Sequence, residues 1–95
     1  MVRQRIVVKS EKGIHLRIAE MLCEEAIKYK SHIEFTCKNK TVNGKSILGL
    51  LAAGIKCNDS IEIICTGVDE NQALEQLLLL FQNGFGEKQV DRKKV

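Results

Sequence analysis

A chain of 95 residues, 44% of them hydrophobic, forms one domain with one modest core and needs no metal or disulfide staple. Fifteen Lys and Arg against twelve Asp and Glu leave a formal charge of +3, too slight and too evenly spread along the chain to demand nucleic acid or an anionic membrane. No apolar run reaches the roughly 18 residues of a membrane span, and "MVRQRIVVKS" lacks the apolar stretch and cleavage site of a signal peptide, so a cytoplasmic protein is expected.

Residues Val2 to Lys9 alternate loosely, with Val2, Ile6 and Val8 on one face and Arg3, Arg5 and Lys9 on the other, and Gln4 and Val7 out of pattern. That predicts a strand. After "SEKG", Leu16 to Tyr29 carries Ala19, Leu22, Cys23 and Ala26 at three- and four-residue spacing, which predicts an amphipathic helix. Ile33, Phe35 and Cys37 alternate with Glu34, Thr36 and Lys38, and "KNK" turns the chain into a short strand around Thr41 and Val42, a hairpin pattern. Asn43 and Gly44 end it.

Ser46 stands before "ILGLLAAGI", closed by Gly54; serine is a preferred N-cap and glycine a preferred stop, so a helix of about two turns follows. Ile61, Ile63 and Cys65 form the inner face of a fourth strand. Asp69 is then placed to cap a last helix, with Gln72 reaching back as in a capping box, and Leu74, Leu77, Leu78 and Phe81 form its core stripe up to Gly84 or Gly86. Residues 87–95, "EKQVDRKKV", read as a charged tail expected to fray. The order β-α-β-β-α-β-α, without repeat or linker, points to an α+β two-layer sandwich.

Cys23, Cys37, Cys57 and Cys65 form no C-x-x-C pair and read as reduced thiols filling the core. Neither they nor the two histidines have zinc-finger spacing, and no metal or organic cofactor is expected. An RNA-binding sandwich would place interleaved aromatics on its central strands, whereas among Tyr29, Phe35, Phe81 and Phe85 only Phe35 falls on a strand.

The most informative stretch is Gly13 to Ala19, "GIHLRIA". With the helix starting at Leu16, His15 takes the N-cap position, where short oxygen-bearing side chains are usual. An imidazole brings what those lack: a ring nitrogen that is nucleophilic near pH 7. The helix N-terminus favours anions by about 0.3 to 1 kcal/mol, and Arg17 adds a guanidinium fork that fits phosphate. Together they suit a phosphoryl acceptor, while His32 lacks such neighbours and reads as structural.

The element order, "GIHLRIA" and "NGKSILGLLAAGI" at residues 43 to 55 resemble the histidine-containing phosphocarrier proteins (HPr) of the phosphoenolpyruvate-dependent sugar phosphotransferase system, over residues 1 to about 86. The family motif G-x-H-x-R-P holds the phosphorylated histidine and its arginine, and a serine opening the second helix is a regulatory kinase target. His15, Arg17 and Ser46 match these positions, while Ile18 stands where the motif has proline, in a chain with no proline.

The resemblance implies an open-faced sandwich, a four-stranded antiparallel sheet with three helices on one side. It also implies a phosphohistidine carrier rather than a stand-alone catalyst, charged on His15 Nδ1 by enzyme I and discharged to IIA domains. HPr serine kinase/phosphorylase would act at Ser46. Leu16, Ile18, Glu20, Ile47, Leu48 and Leu51 are the expected partner-facing residues, on a monomer. The alternative is a regulatory HPr-like protein acting through a kinase or a transcriptional regulator without sugar transport.

Overall fold

The structure, a computed structural model, describes residues 1–86; the expected charged tail lies outside the described residues. Strands β1 (Val2–Val7), β2 (His32–Cys37), β3 (Lys40–Asn43) and β4 (Ser60–Thr66) and helices α1 (Leu16–Ala26), α2 (Ile47–Ala52) and α3 (Glu70–Gln82) follow the expected order, and Gly84–Gly86 adds one 3-10 turn. The four strands form one antiparallel sheet in the order β1-β4-β2-β3. Only β2 and β3 are a hairpin. β4 inserts between β1 and β2, and the helices supply the connections that make this possible.

Register explains which face is covered. Ile33 lies opposite Cys65, Phe35 opposite Ile63 and Cys37 opposite Ile61, and all six are buried. The alternate rows, Glu34 with Ile64 and Thr36 with Glu62, form the uncovered face, as a period of two requires. Onto the apolar face pack Ile18, Ala19, Leu22 and Ala26 of α1, Leu50 of α2, and Ala73 and Leu77 of α3. The result is the expected open-faced sandwich. Gln4, one of the residues that broke the alternation, shares a row with buried Ile63 yet remains exposed on the edge strand β1.

Cys23, Cys37 and Cys65 are buried free thiols, and Cys57 is half-buried. Burial pushes Cys65 up to about 11, which suits a core hydrophobe and not a nucleophile. His32 opens β2 and contacts Glu34 Oε2 at 2.9 Å.

Two local expectations differ from what the structure shows. α1 stops at Ala26, short of Tyr29, because the Lys28 and Tyr29 amides donate to the carbonyls three residues back and tighten the last turn. Tyr29 folds into the core, with its hydroxyl donating to Glu25 Oε2 at 2.7 Å. Burial, reinforced by that carboxylate, pushes the phenol up to about 12.

At the other site, Asp69 occupies the N-cap of α3 without a side-chain cap hydrogen bond. Its carboxylate accepts instead from the Ser31 hydroxyl at 2.6 Å, the Lys30 amide at 2.9 Å and the Ser31 amide at 3.0 Å. Glu70 takes over the loop, accepting from the Gly67 amide at 3.0 Å. Gly67, at φ +154°, packs so closely that a Cβ there would lie 2.6 Å from Ser31 Oγ. The expected capping box is therefore replaced by a clamp between the α1–β2 and β4–α3 connections.

The Ser31 hydroxyl, then the Lys30 amide, hold the Asp69 carboxyl below its ordinary range. Its stabilising contribution is full above the unfolded value of about 3.9 and fades as pH falls through the lower folded value. Asp69→Asn should therefore lower the melting temperature most at neutral pH, with the gap to wild type closing below about pH 4. A gap that stays constant from pH 7 to pH 2.5 would contradict the clamp.

Candidate functional site

Gly13 sets the geometry before His15. At φ +68° it turns the chain so tightly that a Cβ would collide with the Ile55 carbonyl oxygen and lie 2.7 Å from Lys56 Cα, a turn that favours glycine. The Gly13 amide donates to the Ser10 carbonyl at 2.9 Å, and the Ile14 amide to the Ile55 carbonyl at 3.0 Å. The start of α1 is thus tied to the chain leaving α2.

His15 is half-buried and occupies the α1 N-cap in extended conformation, φ −96° and ψ −176°. Its carbonyl accepts from the Ala19 amide at 2.9 Å, while its ring makes no cap hydrogen bond. The residue therefore performs the backbone part of capping and leaves the capping amides to other partners. By helix geometry the first-turn amides have no acceptor within the helix and point towards its N-terminus. Arg17 is exposed in that turn, with Nη1 3.3 Å from Met21 Sδ one turn later. The sequence-predicted pair thus shares one helix end.

Ser46 caps α2, with extended backbone and Oγ accepting from the Gly49 amide at 2.9 Å. α1 and α2 pack against each other, and a groove of about 390 Å³ between them is lined by Glu20, Cys23, Glu24, Ile27, Lys45 and Ile47. Leu16 is 54% exposed, Leu48 79% and Ile47 36%; Glu20 is exposed and Leu51 half-buried.

Ile18 does not belong to that surface. It is fully buried with Leu22 and Ala19, because the first-turn position nearest the sheet faces inward, so its expected partner-facing place is corrected to the core. Sequence reasoning missed Ile27, 63% exposed, since extending α1 to Tyr29 hid that it lies at the helix end. It also missed Lys45, whose ammonium donates to the Tyr29 carbonyl at 2.7 Å; no local pattern marks a contact between residues so far apart.

The division between core and surface has a thermodynamic signature. Ile18→Ala should cost about 2 to 5 kcal/mol, and Leu48→Ala no more than about 0.5 kcal/mol. Chemical denaturation of the two variants measures both, and equal losses would contradict the assignment.

Comparison with known proteins bears on what this arrangement is. A family model described as "PTS HPr component phosphorylation site" matches residues 2–83. The phosphocarrier protein HPr of Treponema pallidum is 34% identical over 88 residues, covering 93% of this chain and 100% of that protein. The HPr-like protein Crh of Bacillus subtilis is 33% identical over 82 residues, covering 86% and 96%.

Among solved structures, an HPr of Thermoanaerobacter tengcongensis superposes with a TM-score of 0.89 at 33% identity, covering 93% of this chain and 99% of the other. A second structure from that organism, described as an HPr dimer, gives 0.74 at 33% identity over 92% and 100%, which stands against the expectation of a monomer. Matched over nearly its whole described length in sequence and in fold, the chain belongs to the HPr family of the phosphotransferase system.

Proposed function

We propose that this chain carries a phosphoryl group on His15, received from enzyme I and passed to IIA domains. The observation that carries the reading is an imidazole at the head of an eleven-residue helix whose ring is not used for capping. The ring Nδ1 lone pair attacks phosphorus as the donor's bond to phosphorus breaks, the donor keeping that electron pair; discharge to an acceptor is the same exchange in reverse. Little covalent work falls to the protein, so positioning and charge stabilisation account for the catalysis. The first-turn amides of α1 and the Arg17 guanidinium supply both, and Gly13 with Ile14 holds the ring's backbone in place.

The exposed Leu16, Ile47 and Leu48, with Glu20 and Leu51, form the docking face. Ser46 at its border is the regulatory phosphosite for an HPr serine kinase/phosphorylase. A phosphate there adds up to two negative charges beside Ile47. Its direct effect at His15 is damped by screening over about 8 Å at physiological salt, so docking suffers more than chemistry. The regulatory-only reading draws on the resemblance to Crh and requires that His15 not exchange phosphoryl groups with the transport machinery.

With phosphoenolpyruvate and enzyme I, the wild-type chain should gain one acid-labile, base-stable phosphoryl group, and His15→Ala none. Unaltered uptake by His15→Ala would defeat the carrier reading. Ser46→Asp should raise the KM for charging by enzyme I with a smaller change in kcat; an unchanged KM would remove the docking explanation.

A further inference from the structure

The chain has two methionines, and each carries an arginine on its sulfur. Arg3 Nη2 lies 3.3 Å from Met1 Sδ, and Arg17 Nη1 lies 3.3 Å from Met21 Sδ. A thioether is a weak acceptor, so neither contact is strong. The second stands where a weak contact has consequences, because its arginine belongs to the first turn of α1.

Met21 follows Arg17 by four residues and therefore shares its face of the helix. Helical side chains lean toward the N-terminus, so that of Met21 lies back over the turn that holds Arg17. His15 stands on the other side of Arg17, at the head of α1. The guanidinium thus has the sulfur on one side and, whenever His15 carries a phosphoryl group, phosphate oxygens on the other. Turning toward the phosphate gives up the sulfur. Hydrogen bonds to a charged oxygen are about twice as strong as neutral ones, so a thioether yields readily. Met21 is half-buried against the core, but its contact with Arg17 is exposed, and solvent reaches it.

We propose that Met21 is a positioning residue for Arg17 and a site of reversible oxidation: its thioether releases the guanidinium to the phosphoryl group, and its sulfoxide retains it. The proposal rests on the carrier reading above. The oxidant is a peroxide. The Sδ lone pair attacks one peroxide oxygen, the O–O bond breaks and, with hydrogen peroxide, water leaves; the sulfur loses two electrons and the peroxide gains them. The sulfoxide oxygen is polar and a far better acceptor than the sulfur it sits on, and methionine sulfoxide reductases remove it again. The thiols compete poorly for the oxidant, since burial raises Cys23, Cys37 and Cys65 above the ordinary thiol range and peroxide attacks the thiolate.

The test is the rate of charging by phosphorylated enzyme I before and after hydrogen peroxide, each protein referred to its own untreated rate. Oxidised wild type should slow by about threefold to tenfold, as expected when one hydrogen bond must be broken to free Arg17. Methionine sulfoxide reductases should restore the rate. Met21→Leu keeps Met1 and all four cysteines, so its rate should not respond to peroxide. Met21→Gln carries an amide oxygen in place of the sulfoxide and should be slow without treatment. Nitrogen NMR of the Arg17 guanidinium should show slower rotation about the Nε–Cζ bond in oxidised wild type, whereas a helix merely loosened by oxidation would give faster motion.

Equal peroxide losses in wild type and Met21→Leu would assign the effect to Met1 or a cysteine and overturn the proposal. So would an oxidised wild type that charges at its untreated rate, or slow charging accompanied by a more mobile Arg17. Each of these leaves the carrier reading intact. An untreated wild-type chain that accepts no phosphoryl group overturns both.

Discussion

Two loops distant in sequence touch at Gly13 and Ile55, and the candidate site depends on that contact. The left-handed turn at Gly13 and the amide of Ile14 on the Ile55 carbonyl decide where α1 begins, and therefore where the His15 ring stands. Because Ile55 follows α2 by three residues, the same contact ties the exit of α2 to the start of α1. A side chain at Gly13 would have to displace backbone atoms on both sides of the Ile55–Lys56 peptide. The position of His15 thus follows from backbone packing.

A second constraint is economy of surface. α1 must bury one flank, carrying Ile18, Leu22 and Ala26, to cover the sheet, and only the remainder can face partners. Ile18 stands where the motif G-x-H-x-R-P has proline, and its buried side chain carries the core up to the first turn of α1. Ser46 has a structural task of its own: its hydroxyl satisfies the Gly49 amide at the start of α2, so altering it removes a cap that stabilises the helix.

Much of the architecture was legible because it rests on periodicity. Ile33, Phe35 and Cys37 in β2 and Ile61, Ile63 and Cys65 in β4 alternate without interruption, and all are buried. The histidine was legible for a different reason: it is a poor N-cap in a place where a good one costs nothing. What the sequence concealed was long-range. Asp69 looks like a local cap but binds Ser31, thirty-eight residues away. Lys45 reaches back to Tyr29, and Ile27, just past the end of α1, continues its exposed Glu20 and Glu24 face.

The proposal that His15 holds one phosphoryl group at the head of α1 can be tested directly. The most direct measurement is nitrogen NMR of histidine-labelled protein after charging with phosphoenolpyruvate and enzyme I. The account predicts phosphorylation at Nδ1 of His15, with the ring of His32 unchanged. A phosphoryl group on His32 or on a serine hydroxyl, or no adduct at all, would contradict it.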